Sequence, residues 1–110
     1  MTGLAESKPL ARLRAQLLAG EFEFSQHALR RMVERNIADQ GIREAGAEAA
    51  IIEDYPADKY SPSCLLLGFT RRQRALHLQV SRAPGQPRVR IITLYEPDPA
   101  EWVDFMHRRE

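Results

Sequence analysis

The chain has 110 residues, a net charge of +1 and 44% apolar residues. That describes one domain with enough apolar mass for a core, and it excludes a two-domain architecture and intrinsic disorder. No apolar run approaches the roughly 18 residues of a membrane span, and Glu6 and Lys8 interrupt the N-terminus where a signal peptide needs an apolar stretch. A single cysteine, Cys64, excludes an internal disulfide and fits a cytoplasmic location. The three histidines and this cysteine lack metal-ligand spacing, so no metal and no cofactor is expected.

Residues 8–19, KPLARLRAQLLA, read as a short amphipathic helix with Leu10, Leu13, Leu17 and Leu18 on one stripe and Gly20 as its stop. A second helix begins after Ser25, whose hydroxyl suits an N-cap, with Phe24 and Leu29 placed as a hydrophobic staple. Its predicted buried stripe is Ala28, Leu29, Met32 and Val33. Arg30 and Glu34 stand four apart, the spacing of an ion pair. Residues 36–46 predict a third helix, with Ile42 and Ala45 inward and Gly46 at its end.

The period then changes to that of strands. Residues 49–56, 64–70, 75–81 and 88–95 are the four candidates, linked by a loop, the turn RRQR and a Pro/Gly loop. The third alternates strictly, with Leu76, Leu78 and Val80 inward and His77, Gln79 and Ser81 on the other face. Residues 96–110 predict a closing helix, with Asp98 as N-cap, Glu101 completing a capping box and Trp102, Phe105 and Met106 buried. The expected fold is α+β: N-terminal helices on a four-stranded antiparallel sheet, with a C-terminal helix. Residues 1–23 form an N-terminal helical extension and 24–110 the single domain.

Charge is uneven. Fourteen of the 16 basic residues are arginine, and six of these fall between Thr70 and Arg90 with no acid among them. Arginine presents a planar fork suited to phosphate, although a GC-rich genome also enriches it. His77 on a sheet face has the chemistry of a general base or acid; it is equally a histidine bonded to a neighbour. His27 sits near the positive end of its helix, where an anion is favoured. Arg31 is four from both His27 and Arg35, so the three share a stripe. Arg72 and Arg74 occupy the hairpin turn, Arg88 and Arg90 flank the last strand, and Thr93 and Tyr95 share one face of it.

Taken together, SQHALRRMVERNI, REAGAEAAIIEDYP, CLLLGF, ALHLQV and RIITLYEPDPAEW resemble a bacterial family of domains of unknown function related to RelE-like and barnase-like toxin ribonucleases. The resemblance spans about residues 24–103 and implies a RelE-like fold. It implies metal-independent endoribonuclease activity on messenger RNA and an antitoxin protein as inhibitor. Its signature residues fall on His27, Arg31, Arg35, His77, Thr93 and Tyr95. The expected catalytic set is His77, His27, Arg31, Arg35 and Tyr95, with Arg72, Arg74, Arg90 and Thr93 binding substrate. In that mechanism His77 or His27 takes the proton of a ribose 2′-hydroxyl while arginines stabilise the phosphoryl oxygens. The other readings are a non-catalytic RNA- or protein-binding module, and a homodimer formed through the C-terminal segment or an open sheet edge.

Overall fold

The computed structural model describes residues 8–59 and 61–110. Among the described residues three helices and five strands come first, and a small hairpin closes the chain. Helix α1 (Lys8–Ala19) buries Leu10, Leu13 and Leu17 but leaves Leu18 exposed. Gly20 ends it as expected. With φ at 80° it sends its N–H to Leu17 O while the Glu21 N–H reaches Gln16 O, which satisfies the last carbonyls. The first seven residues of the extension expected over 1–23 lie outside the described residues. Its helix is built into the domain, since the α1 leucines join the same core cluster as the sheet.

Strand β1 (Phe22–Phe24) was not expected. It pairs in parallel with β5 (Val89–Tyr95). The remaining strands, β2 (Ala50–Tyr55), β3 (Ser63–Phe69), β4 (Ala75–Ser81) and β5, form the predicted antiparallel meander. The sheet is therefore five-stranded and partly parallel, in the order β1-β5-β4-β3-β2, not four-stranded and antiparallel. Three residues between a helix stop and a helix cap are too few to show a period, so β1 leaves no pattern to read.

Helix α2 (Gln26–Glu34) starts where Ser25 predicts. The Ser25 hydroxyl oxygen accepts from the Ala28 N–H at 3.0 Å, and its proton goes to Ile92 O at 2.7 Å. One side chain thus caps the helix and pins it to β5. Ser25→Ala should cost about 1–2 kcal/mol, read as a lower denaturant midpoint at unchanged slope. The helix ends at Asn36, φ 52°, with Asn36 N–H on Val33 O and Ile37 N–H on Met32 O. Its stripe differs from expectation. Ala28 is buried and Met32 packs against the core, but Leu29 is 49% and Val33 72% exposed. The anchors at Ser25 and Ile37 turn the helix so that only its Ala28–Met32 side meets the core. The Arg30–Glu34 ion pair does not form.

Helix α3 (Asp39–Ala47) buries Ile42 and Ala45 as predicted. Gly46 does not end it. A Cβ there would lie 2.8 Å from Leu17 Cδ1, so this glycine lets α1 and α3 approach each other. Leu76, Leu78 and Val80 of β4 face these helices, along with Cys64, Leu66, Ile91 and Leu94. His77 and Gln79 face the other way, opposite Tyr95 and Thr93 of β5.

No C-terminal helix exists. Asp98 starts one turn: its carboxylate accepts from the Ala100 N–H and its carbonyl from the Glu101 and Trp102 N–H groups. The chain then reverses as a hairpin of β6 (Trp102–Val103) and β7 (His107–Arg108), with Asp104 and Phe105 both left-handed at φ 52° and 62°. A helix of about a dozen residues is marginal by itself. Here the side chains gain more by folding over the second face of the sheet, where Trp102 is buried against His77. Phe105 is half-buried and Met106 is exposed, not buried as the helical stripe predicted.

Candidate functional site

The predicted site residues other than Arg90, which pairs with Glu23 of β1, fall in two separate places. The first is the second face of the sheet, beneath the hairpin. His77 is fully buried there. Its Nε2 is 2.6 Å from Phe105 O, and its Nδ1 is 3.3 Å from the Tyr95 hydroxyl. A carbonyl only accepts, so Nε2 carries the proton and Nδ1 accepts from Tyr95. In the neutral ring, the form its burial favours, both nitrogens are then occupied. Trp102 stands edge-on to it at 4.5 Å and Tyr95 at 5.2 Å between ring centroids. Burial lowers the His77 pKa, against weaker opposing pulls from Phe105 O and the Glu53 carboxylate.

Beside it, Arg108 Nε and Nη2 donate to the two Glu53 oxygens at 2.9 and 3.1 Å, and the Tyr55 hydroxyl donates to the same carboxylate. The Arg108 guanidinium also lies 4.6 Å above the Trp102 ring. Arg108 holds the Glu53 carboxyl below its ordinary range, while burial raises Tyr55 and Tyr95. Glu53, Tyr55, Trp102 and Arg108 were not among the expected site residues. The Glu53–Tyr55 spacing of two does put both on one strand face, but Arg108 lies 55 residues further on and leaves no local signal.

The second place is α2 and the β3–β4 turn. His27 and Arg35 are exposed and Arg31 is half-buried. No hydrogen bond or ion pair engages these three side chains, or that of Arg30, among the described residues. The arginines of the basic segment differ. Arg74 donates to Glu96 at 2.8 Å and to the carbonyls of Asn36 and Arg35 at 2.9 and 2.7 Å, closing the end of α2. Arg82 pairs with Asp54, Arg90 with Glu23 at 3.4 Å and Arg71 with Glu44 at 3.8 Å; Arg88 donates to Phe22 O. Only Arg72 at the turn makes no hydrogen bond or ion pair among the described residues, with the Glu44 carboxylate acting on it at longer range. A groove of about 650 Å³ runs between the α2–α3 link and this turn, lined in part by Arg71, Arg72 and Arg74. His27 and His77 are not brought together: Ala28 and Met32 pack α2 into the core, whereas His77 lies on the sheet face turned away from it.

A family profile described as "Domain of unknown function (DUF4258)" matches residues 24–96. The chain belongs to the DUF4258 family. The matched DUF4258 segment runs from Phe24 to Glu96, and so holds His27, Arg31, Arg35, Glu53, His77 and Tyr95. The α1 helix and the hairpin that supplies Trp102 and Arg108 lie outside it. No curated protein and no solved structure matches this DUF4258 chain. Burial pushes the Cys64 thiol up to about 11, which leaves it a core group and not a nucleophile. Among the described residues no cluster of three or more potential ligands could hold a metal ion, and no helix is long and apolar enough to cross a membrane.

Proposed function

We propose that this DUF4258 chain binds RNA, gripping the phosphate backbone along His27 and Arg31 of α2 and Arg35 at its C-cap, with Arg72 beyond them. One observation carries the reading. Five of the six arginines between Thr70 and Arg90 are hydrogen-bonded or ion-paired within the protein, while His27, Arg31 and Arg35 make no hydrogen bond or ion pair among the described residues, Arg35 feeling the Glu96 carboxylate only at longer range. Like charges four apart on a helix destabilise it, and a bound anion removes that cost. The stripe from residue 27 to 35 covers about 12 Å at about 1.5 Å per residue, long enough to follow a strand of backbone. The polymer is RNA on the strength of the resemblance to RelE-like toxin ribonucleases, which also makes messenger RNA its target, the cytoplasm its location and an antitoxin protein its partner.

Arginine contacts to a single strand are salt-dependent, with a slope of about −0.7 per phosphate. A labelled single-stranded RNA titrated at several salt concentrations is expected to bind with a clear negative slope. Arg31→Ala/Arg35→Ala should weaken binding at least about tenfold and flatten the slope by about 1.4. Salt-independent binding, or a double variant equal to wild type, defeats the reading.

Cleavage is a second reading, favoured by the place of His27 at the head of this stripe. An exposed imidazole beside Arg31 can take a 2′-hydroxyl proton while the arginines hold the attacked phosphate. On this reading His27→Ala loses cleavage of RNA in chelator-treated buffer by at least about a hundredfold, and His77→Gln does not. Intact RNA after long incubation with the wild-type chain leaves the binding module alone.

A further inference from the structure

We infer that the outer flank of α2 is a self-complementary surface that pairs two copies of this chain about a two-fold axis. At about 100° per residue, Leu29 and Val33 lie about 120–160° around the helix from His27 and Arg31. The apolar part of this flank is therefore separate from the proposed RNA-binding stripe, with Glu34 at the border between them, and the pairing does not depend on that reading. Val33, at 72%, is the most exposed large apolar side chain among the described residues, and Leu29 is half-exposed one turn before it. Gln26, Leu29, Arg30, Val33 and Glu34 together line a shallow depression of about 450 Å³.

The charges around it name the occupant. Arg30 and Glu34 have the spacing of an intrahelical pair, yet no ion pair joins them and neither has another partner among the described residues. Place a second α2 antiparallel to the first, with the axis near residues 31 and 32. Arg30 of each copy then meets Glu34 of the other, so the pair left open within the chain closes twice between chains. Leu29 of each copy meets Val33 of the other in the same arrangement and leaves water. A two-fold contact demands this property, one patch that complements itself. An arbitrary acidic or basic partner would satisfy only one of the two charges.

The contact is one short helix per copy. It falls below the roughly 1,000 Å² of a stable interface, so the dimer is weak, with a dissociation constant of about 0.1 mM. Sedimentation of the full chain from about 10 μM to about 1 mM tests it. Wild type should move from monomer to dimer across the range. Val33→Glu should stay monomeric throughout, with an unchanged thermal melt because the position is exposed. Arg30→Glu and Glu34→Arg should each weaken association about tenfold, since each places like charges opposite one another twice. The double swap Arg30→Glu/Glu34→Arg should recover wild-type association to within about threefold. A wild type that remains monomeric to the highest concentration overturns the inference. So does a dimer indifferent to Val33→Glu, or a double swap no better than the single ones.

Discussion

Gly68→Ala is expected to remove about 3–5 kcal/mol of stability, a large part of what a domain of this size has. Gly68 sits in β3 opposite Leu76, on the face that receives α3. A Cβ there would lie 2.6 Å from the Ala45 carbonyl carbon and closer still to its oxygen. The obstacle is helix backbone, which cannot swing aside as a side chain can. Retreat of α3 would reopen the contacts of Ile42 and Ala45, and α3 is pressed from its other side by Leu17 against Gly46. The melting temperature should fall by at least about 15 °C. Gly85→Ala is the control. Its Cβ would meet nothing within 4 Å, although φ is 68°, so the loss there should stay near about 1 kcal/mol. Equal losses at the two glycines would mean that close approach of α3 to β3 is not what Gly68 provides.

Parts of the fold that follow from local chemistry were readable in advance. The alternation of β4 placed Leu76 and His77 on opposite faces, and Ser25 and Gly20 marked helix ends because one side chain or one backbone angle does that work. Parts that follow from distant partners were not. The spacing of Trp102, Phe105 and Met106 is helical, yet Trp102 ends in a hairpin because the His77 ring and the Glu53–Arg108 pair hold it there. The period of α2 would bury Leu29 and Val33, but the tilt set by Ser25 and Ile37 decides which side meets the core. The same limit applies to the candidate site. His27, Arg31 and Arg35 share a stripe by spacing alone. Whether an arginine is free depends on acids far along the chain, such as Glu96 for Arg74 and Asp54 for Arg82. A basic segment in the sequence is therefore not a basic surface in the molecule.

Acid is expected to loosen the cover over His77 before it affects the carboxylates. Burial holds the imidazole neutral and its pKa below the ordinary 6.5. At pH values between the two, the unfolded chain binds more protons than the folded one, so stability rises with pH through that window. The contribution is fully present above about 6.5 and is lost as the pH falls below it. Glu53, held low chiefly by Arg108, and Glu96, held low by Arg74, follow the same sign in a lower window: their stability is present above the ordinary 4.5 and is lost as the pH falls further. Protonated His77 would have no acceptor for its new N–H except the Tyr95 hydroxyl, which now donates to it, and the Arg108 guanidinium nearby adds repulsion. His77→Gln separates the effects. Its amide N–H can still donate to Phe105 O, but it cannot titrate. Between pH 7.5 and 5, wild type should lose more stability than His77→Gln, and the amides of residues 102–108 should exchange faster at pH 5 in wild type alone, after correction for the intrinsic rate. Below about 4.5 both should fall together as the carboxylates protonate. Two parallel stability curves from pH 7.5 to 5 would show that His77 does not govern the hairpin. The opposite sign, a wild type that gains stability on acidification, would mean that the pull of Glu53 on the imidazole outweighs its burial.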